Sequence, residues 1–114
     1  KDLGGFSHVI LLYHFHLSRG YSLHVVPFMD DVERGIFATR APRRPNPLGL
    51  SIVRLEGIDG CHLSIADVDV VEGTPLIDIK PFVPYFDHRD GATSGWLTKR
   101  LDKVHERRSD DRFI

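Results

Sequence analysis

Residues 7–17, SHVILLYHFHL, carry the strongest fold signal in the chain. Every odd position from Val9 to Leu17 is apolar, whereas three of the five even positions are histidine. Successive side chains of a strand point to opposite faces, so this period of two predicts a β-strand with one face in the core. The β-branched and aromatic residues favour a strand over a helix.

Shorter β segments bounded by Gly, Pro and Asp follow, which is the pattern of an all-β domain. The sequence predicts further strands over residues 23–26, 35–39, 50–58, 61–66, 68–71 and 76–79. Between two of them, Asp59-Gly60 predicts a type I′ hairpin turn. The prolines of residues 81–87 predict an irregular loop. Leucines at helical spacing after Ser94, a candidate N-cap, predict an amphipathic helix over residues 95–105. We therefore expect a mainly β fold, a small barrel-like antiparallel or mixed domain with one C-terminal helix.

Length and composition limit the class of protein. The 114 residues suit a single domain, residues 1–114, without room for a second core. Fifteen basic and sixteen acidic residues give a net charge of −1, which excludes a polycationic surface but leaves room for a local basic patch. Cys61 has no partner for an intrachain disulfide, no export signal is visible, and the longest apolar stretch is too short to span a bilayer. We expect a cytoplasmic protein without membrane contact.

Arginines are concentrated around residues 40–49, RAPRRPNPLG, which we call the arginine loop. From Arg34 to Arg54 there are five arginines and no acidic residue. Three prolines predict a stiff loop that presents guanidinium groups, which suit phosphate or carboxylate, at little entropic cost. A solvated turn with surface ion pairs is the alternative. The pattern favours a binding loop in which Arg43 and Arg44 face phosphate groups.

Residues 67–81, DVDVVEGTPLIDIKP, form a second candidate region. Asp67 and Asp69 are expected on one strand face, and Asp78 and Lys80 on one face of the next strand. A carboxylate and an ammonium group on one face could hold an amino-acid moiety or each other. Surface carboxylates on an edge strand remain an equally open interpretation.

Other motifs of catalysis are weak or missing. His14 and His16 are feasible metal ligands, but no suitably spaced third ligand accompanies them, so we predict no metal site. No Gly-x-Gly-x-x-Gly or Walker motif occurs, which argues against the usual dinucleotide and nucleoside-triphosphate folds. There is no Gly-x-Ser-x-Gly motif, and Cys61 beside the hairpin turn is expected to be a structural thiol.

Several segments, taken in order, resemble the TsaA-like family, also called YaeB or TrmO, of S-adenosylmethionine-dependent tRNA methyltransferases. The similarity runs from about residue 4 to residue 87. Its motifs are GFSH at 5–8, FH at 15–16, GIFATR at 35–40, RPNPLGLS at 44–51, Asp69, EGTP at 72–75 and DIKPFVPY at 78–85.

The resemblance implies a small β-barrel domain that works as a homodimer. It implies that S-adenosylmethionine donates a methyl group to the exocyclic nitrogen of threonylcarbamoyladenosine beside the tRNA anticodon. It identifies no catalytic base. The cofactor-binding residues implied by motif position are His16, Leu17, Arg40, Leu50, Glu72, Gly73, Thr74, Pro75, Asp78 and Lys80.

This sequence departs from the family pattern in two ways. The family usually has strands before Gly4, including a Pro-x-Gln segment at the cofactor site, and these have no counterpart here. Either residues are missing or this member is shortened. In addition, Leu17 stands where many relatives have a polar residue.

The residues leave two other functions open. One is a non-catalytic module that holds S-adenosylmethionine or a related nucleoside, whose pocket would look the same in sequence. The other is an RNA-binding domain without a cofactor. Binding of S-adenosylmethionine separates the second from the enzyme, and methyl transfer to tRNA separates the first.

Overall fold

A four-stranded antiparallel sheet forms the centre of the computed structural model, which describes residues 1–28, 30–99 and 101. Its strands, in spatial order, are β5, β4, β1 and β6, and a separate ribbon pairs β2 with β3. The bounds are β1 His8–His14, β2 His24–Val25, β3 Arg34–Gly35, β4 Leu48–Asp59, β5 His62–Ala66 and β6 Leu76–Pro81. The mainly β prediction is confirmed, and within the described residues the main sheet is open, with β5 and β6 at its edges.

Helical structure occurs in several places among the described residues. There are 3-10 turns at Leu3–Gly5, Ile36–Ala38 and Gly95–Leu97, an α-helical turn, α1, at Pro84–Asp87, and further α-helical residues at Thr98, Lys99 and Leu101. The predicted C-terminal helix begins at the third of these turns, and most of the rest of its predicted range lies outside the described residues.

The core lies on one face of the sheet, as the alternation of β1 predicts. Val9, Leu11 and Tyr13 are buried, and Val9 pairs with the equally buried Val53 of β4. Packed against these four are five partly buried apolar residues, namely Leu3, Phe15, Leu55, Ile65 and Ile79. Central position in the sheet explains this burial, since β1 pairs with β4 on one side and with β6 on the other.

The other face of the sheet, which we call the outer face, also carries apolar side chains. They come from alternate positions that pair across strands, with Ile10 opposite Ile52 and Leu12 opposite Leu50. Leu48, Leu50 and Ile52 are each about half exposed, at 48%, 50% and 48%. The central strands are therefore apolar on both faces, although only one face is packed by the described residues.

The predicted first strand is too long. β1 ends at His14, although Phe15 N–H still donates to Pro47 O, because His16 N–H turns back to His14 O and Ser18 N–H closes a turn on Phe15 O. Leu17 continues the apolar alternation but is 66% exposed. Apolar spacing therefore extends past the last residue that has a partner strand.

Two predicted strands are wrong over most of their length, because among the described residues only Gly35 of them pairs with another strand. Of residues 35–39 only Gly35 is in a strand, and Thr39 N–H instead bonds Ile36 O to close a 3-10 turn that buries Ile36. Residues 68–71 are irregular, between a left-handed Asp67 and a turn that Thr74 N–H closes on Val71 O.

Two turn predictions also need correction. The hairpin after β4 exists, but its central residues are Gly60 and Cys61, because a bulge between Leu55 and Gly57 shifts the pairing. Gly60 has a φ of +60° and Cys61 does not share a positive φ, which fits a type II′ turn rather than type I′. Residues 84–87, predicted as loop, form α1, where proline is tolerated in the first turn.

Candidate functional site

The end of β1 lies between the two regions that the sequence marked as binding segments. His14 N–H donates to Pro75 O at 3.0 Å, and Phe15 N–H donates to Pro47 O at 2.8 Å. Ser18 Oγ adds a 3.3 Å hydrogen bond to Pro42 O. Pro75 and the two loop prolines, which are 28 and 33 positions away from it in sequence, are thus tied to one short piece of chain.

A first cavity of about 610 Å³ lies at this junction. Its wall combines the end of β1, the arginine loop and the irregular segment after β5. The lining residues are Tyr13, Phe15, His16, Leu17, Ser18, Arg19, Pro42, Arg43, Asp69, Val70, Val71 and Thr74. The predicted site residues His16, Leu17 and Thr74 therefore meet around one space.

A second cavity, of about 350 Å³, lies beside other residues of the arginine loop. It is lined by Tyr13, Phe15, Thr39, Arg40, Arg44, Leu48, Gly49 and Leu50. Tyr13 and Phe15 line both cavities, so the two spaces adjoin across these rings. The structure thereby brings Arg40 and Leu50 next to the His16 and Leu17 cavity.

Gly49 explains how two aromatic rings fit between the cavities. A Cβ at this position would lie 2.6 Å from Tyr13 Cζ and 2.8 Å from Phe15 Cζ. The rings meet edge to face at 5.6 Å between centroids, and Tyr13 Oη shares a 2.8 Å hydrogen bond with Ser51 Oγ. The glycine of the arginine loop is therefore a packing requirement of this wall.

The arginines of the loop have different roles. Arg44 is partly buried and donates from Nη1 to Thr39 O at 2.7 Å and to Ala41 O at 3.2 Å. Arg40 and Arg43 are exposed, and within residues 1–28, 30–99 and 101 neither makes an ion pair. Of the two arginines expected to face phosphate groups, Arg43 is therefore exposed, whereas Arg44 braces the loop. Contact of either one with tRNA stays a prediction.

The second candidate region is divided by the fold. Its irregular part supplies Asp69 and Thr74 to the first cavity, while Gly73, with a φ of +86°, allows the turn between them. Glu72 and Pro75 lie in the same turn but do not line the cavity.

Asp78 and Lys80 are in a different place. They pair with Leu12 and Ile10, so both lie on the outer face of the sheet, and they line neither cavity. Their side chains form a 3.3 Å ion pair. Of the two possibilities that the sequence left open, the mutual ion pair is observed, and binding of an amino-acid moiety stays a prediction.

His14 and His16 are also separated. His14 is opposite Leu48 on the outer face, whereas His16 follows the strand end and lines the first cavity. In the described part of the chain, no three His, Cys, Asp or Glu side chains are grouped so as to hold a metal ion. Cys61 is exposed in the hairpin turn rather than packed as a structural thiol.

Sequence reasoning missed several lining residues. Tyr13 and Phe15 were assigned to the core by their alternation, and both do pack there while also lining the cavities. Val70 and Val71 were assigned to a strand, and Arg19 follows the turn at the end of β1. Their only sequence signal was proximity to the motifs.

A sequence model of the tRNA-methyltransferase O N-terminal domain family matches residues 1–88, which include both cavities and the whole main sheet. The chain belongs to this family. The resemblance of its motifs to that family is thereby confirmed.

Individual relatives agree with this assignment. A "Probable S-adenosyl-L-methionine-binding protein" of Pyrococcus abyssi is 52% identical over the whole chain, and a "tRNA (adenine(37)-N6)-methyltransferase" of Mus musculus is 39% identical over 72% of it. The crystal structure of TrmO from Pseudomonas aeruginosa superposes on 83% of the chain with a TM-score of 0.69 and 43% identity. The chain spans 62%, 20% and 40% of the lengths of these three proteins.

No helix in the described ranges combines the length and apolar character needed to cross a membrane.

Proposed function

We propose that this chain provides the S-adenosylmethionine site of a cytoplasmic tRNA adenine N6-methyltransferase that acts on threonylcarbamoyladenosine beside the anticodon. One observation carries the proposal. Motif residues from three distant segments, His16, Arg40 and Thr74, line two adjoining cavities at the end of β1. The names of the relatives, which include S-adenosylmethionine-binding proteins and tRNA adenine methyltransferases, support the same function.

The first cavity fits such a cofactor in size and chemistry. Its volume of about 610 Å³ lies in the range of small-molecule sites. Leu17, Val70 and Val71 supply apolar walls for a purine ring, and Asp69 supplies a carboxylate that can accept hydrogen bonds from ribose hydroxyls. These residues, rather than Glu72, Asp78 and Lys80, are the ones we now assign from the second region.

Arg40 completes the proposed site from the second cavity. A guanidinium without an ion pair in the described part of the chain is suited to the carboxylate of the methionyl group, which it can bind through two parallel hydrogen bonds. Leu50, on the neighbouring strand, lines the same cavity.

S-adenosylmethionine, when bound, supplies an electrophilic methyl group on a sulfonium sulfur. The residues of this chain need to orient the ligand and the target nitrogen, because alignment alone can supply much of the catalysis. The nitrogen loses a proton, and His16 and Asp69 are the imidazole and carboxylate in the first cavity that can accept it. Titration calorimetry with S-adenosylmethionine and transfer of labelled methyl groups to tRNA, with and without threonylcarbamoylation, test the proposal. Cofactor binding without transfer would leave the non-catalytic module.

We also propose that residues 1–114 form one domain of this family and that the protein is a homodimer. The half-exposed leucines and isoleucine of the outer face support the dimer, since a second copy would remove them from water. Leu50 belongs to this face and to the second cavity, so the site would lie beside the subunit boundary. Light scattering should report two copies, and Ile52→Glu should give a monomer. A wild-type monomer at micromolar concentration with full activity would contradict the proposal.

A further inference from the structure

A third concavity, which we call the aromatic groove, adjoins the arginine loop and has a volume of about 720 Å³. Its wall includes Phe28, Phe37 and Trp96. Phe28 is 94% exposed and Phe37 is 77% exposed, which is unusual for side chains of this size. Neither cavity of the candidate site includes these three rings.

The groove is continuous with the candidate site through shared residues. Arg40 lines both the aromatic groove and the second cavity, and Pro42 lines both the groove and the first cavity. A ligand chain that enters either cavity therefore passes Arg40 or Pro42 to reach the groove.

Arginine side chains pack against two of the rings, although the charge of one of them, Arg34, is already paired with Asp30 at 3.0 Å. The Arg34 guanidinium lies 4.9 Å from the centre of the Trp96 ring, and that of Arg44 lies 6.0 Å from the centre of Phe37. Trp96 Nε1 donates to Ala38 O at 2.8 Å, which fixes the indole against the 3-10 turn that precedes the arginine loop. The described lining of the groove contains no acidic residue.

We propose that the aromatic groove binds unstacked nucleotides of the tRNA loop that neighbour the target base. The proposal rests on the proposed function, because the target base would enter the adjoining cavities. Exposed rings stack on bases of any sequence, and guanidinium groups neutralise the phosphates between them. The combination of exposed aromatics, a lining without carboxylates and the exposed Arg43 beside Pro42 complements a single-stranded polyanion better than a neutral apolar peptide.

Trp96 makes the groove directly observable, because it is the one tryptophan of the chain. A base that stacks in the groove should quench its fluorescence as an anticodon stem–loop RNA is titrated into the protein. An RNA duplex of the same length, whose bases are stacked and paired, should quench it little. Phe37→Ala should weaken stem–loop binding by roughly 5- to 100-fold, the range for loss of one stacked base. Phe37→Tyr, which keeps an aromatic ring, should bind the stem–loop about as tightly as the wild type.

Tyr85→Ala is the matched control, since Tyr85 is 89% exposed but lines none of the three concavities. It should bind the stem–loop as the wild type does. The groove proposal is wrong if Phe37→Ala and Tyr85→Ala lose the same stem–loop affinity. It is also wrong if the stem–loop binds and leaves Trp96 fluorescence unchanged.

Methyl transfer distinguishes failure of the groove from failure of the function. If Phe37→Ala transfers methyl groups and binds RNA as tightly as the wild type, the proposed function stands and the groove proposal is wrong. If RNA quenches Trp96 in a way that depends on Phe37 but the protein transfers no methyl group, the groove is an RNA site and the proposed enzymatic function is wrong. A groove that binds a peptide partner instead would show neither quenching by RNA nor an RNA-affinity loss in Phe37→Ala.

Discussion

The arginine loop and the 67–81 segment are both rich in charge, and both carry motifs of one family, yet the fold uses them differently. The loop stays together at the site, because Arg44 and two prolines fix its path by hydrogen bonds to neighbouring backbone. The second segment is divided, with Asp69 at the first cavity and Asp78 on the outer face. Residues of one sequence motif therefore do not all lie at one site, because strand pairing decides which of them line the cavity.

The largest expected effect comes from the wall between the two cavities. Gly49→Ala should destabilise the domain by about 1–3 kcal/mol, as overpacking does, because the new methyl group would overlap Tyr13 and Phe15. Urea denaturation measures the loss, and affinity for S-adenosylmethionine should fall with it. Gly57→Ala, in the same strand with nothing within 4 Å of the new Cβ, is the control and should be close to neutral. Equal stability of the two variants would show that the rings do not need the glycine.

Arg40→Ala should lose most of the cofactor affinity while the domain stays folded. A charge-assisted hydrogen bond is worth about 1.5–3 kcal/mol, and Arg40 is exposed, so no core packing is lost. Lys80→Ala removes a positive charge of the divided segment whose partner is Asp78 on the outer face. Titration calorimetry should show a large loss for the first variant and none for the second. The opposite order would place the cofactor on the outer face of the sheet.

The two aspartates of the divided segment give a smaller and more direct comparison. Asp69→Asn should weaken cofactor binding by about 1 kcal/mol, because an amide replaces a charged acceptor in the first cavity. Asp78→Asn should leave affinity unchanged, since its ion pair with Lys80 is exposed and contributes little. Calorimetry on both proteins decides the assignment, and equal losses would return Asp78 to the site.

The sequence predicts the parts of the fold that depend on local pattern. The alternation from Val9 to Tyr13 predicts a central strand with a buried face, and the hairpin is predicted to within one residue. Pattern fails where a partner is needed. Residues 68–71 have the composition of a strand but none of the described strands pairs with them.

The residues of the candidate site also divide into those that local sequence pattern places and those that depend on strand pairing. The family resemblance implied Arg40 and Leu50, and the stiff loop that leads directly into β4 brings both to the second cavity. Their contact with the cofactor stays a prediction. The placement of Asp78 required the register of β6 against Leu12, which no local signal contains. Tyr13 shows a third case, since a residue that alternation assigns to the core also lines two cavities at the end of its strand.

The smallest expected effect separates the two neighbouring arginines of the loop. Arg43 is exposed and without an ion pair among the described residues, whereas the Arg44 guanidinium already donates to two loop carbonyls. One phosphate contact to single-stranded RNA contributes about 0.7 to the slope of log affinity against log salt. Arg43→Ala should therefore flatten the slope for tRNA by about 0.7 and leave S-adenosylmethionine affinity nearly unchanged.

Arg44→Ala should instead loosen the loop, since Thr39 O and Ala41 O lose their shared donor, while the salt slope changes little. The double variant then flattens the slope by about 0.7, half of what two phosphate contacts would give. Measuring tRNA affinity of the three variants at several salt concentrations resolves the difference. A slope that falls equally in each single variant would mean that Arg44 leaves its carbonyls to bind RNA. Wild-type slopes throughout would show that neither Arg43 nor Arg44 contacts RNA phosphate.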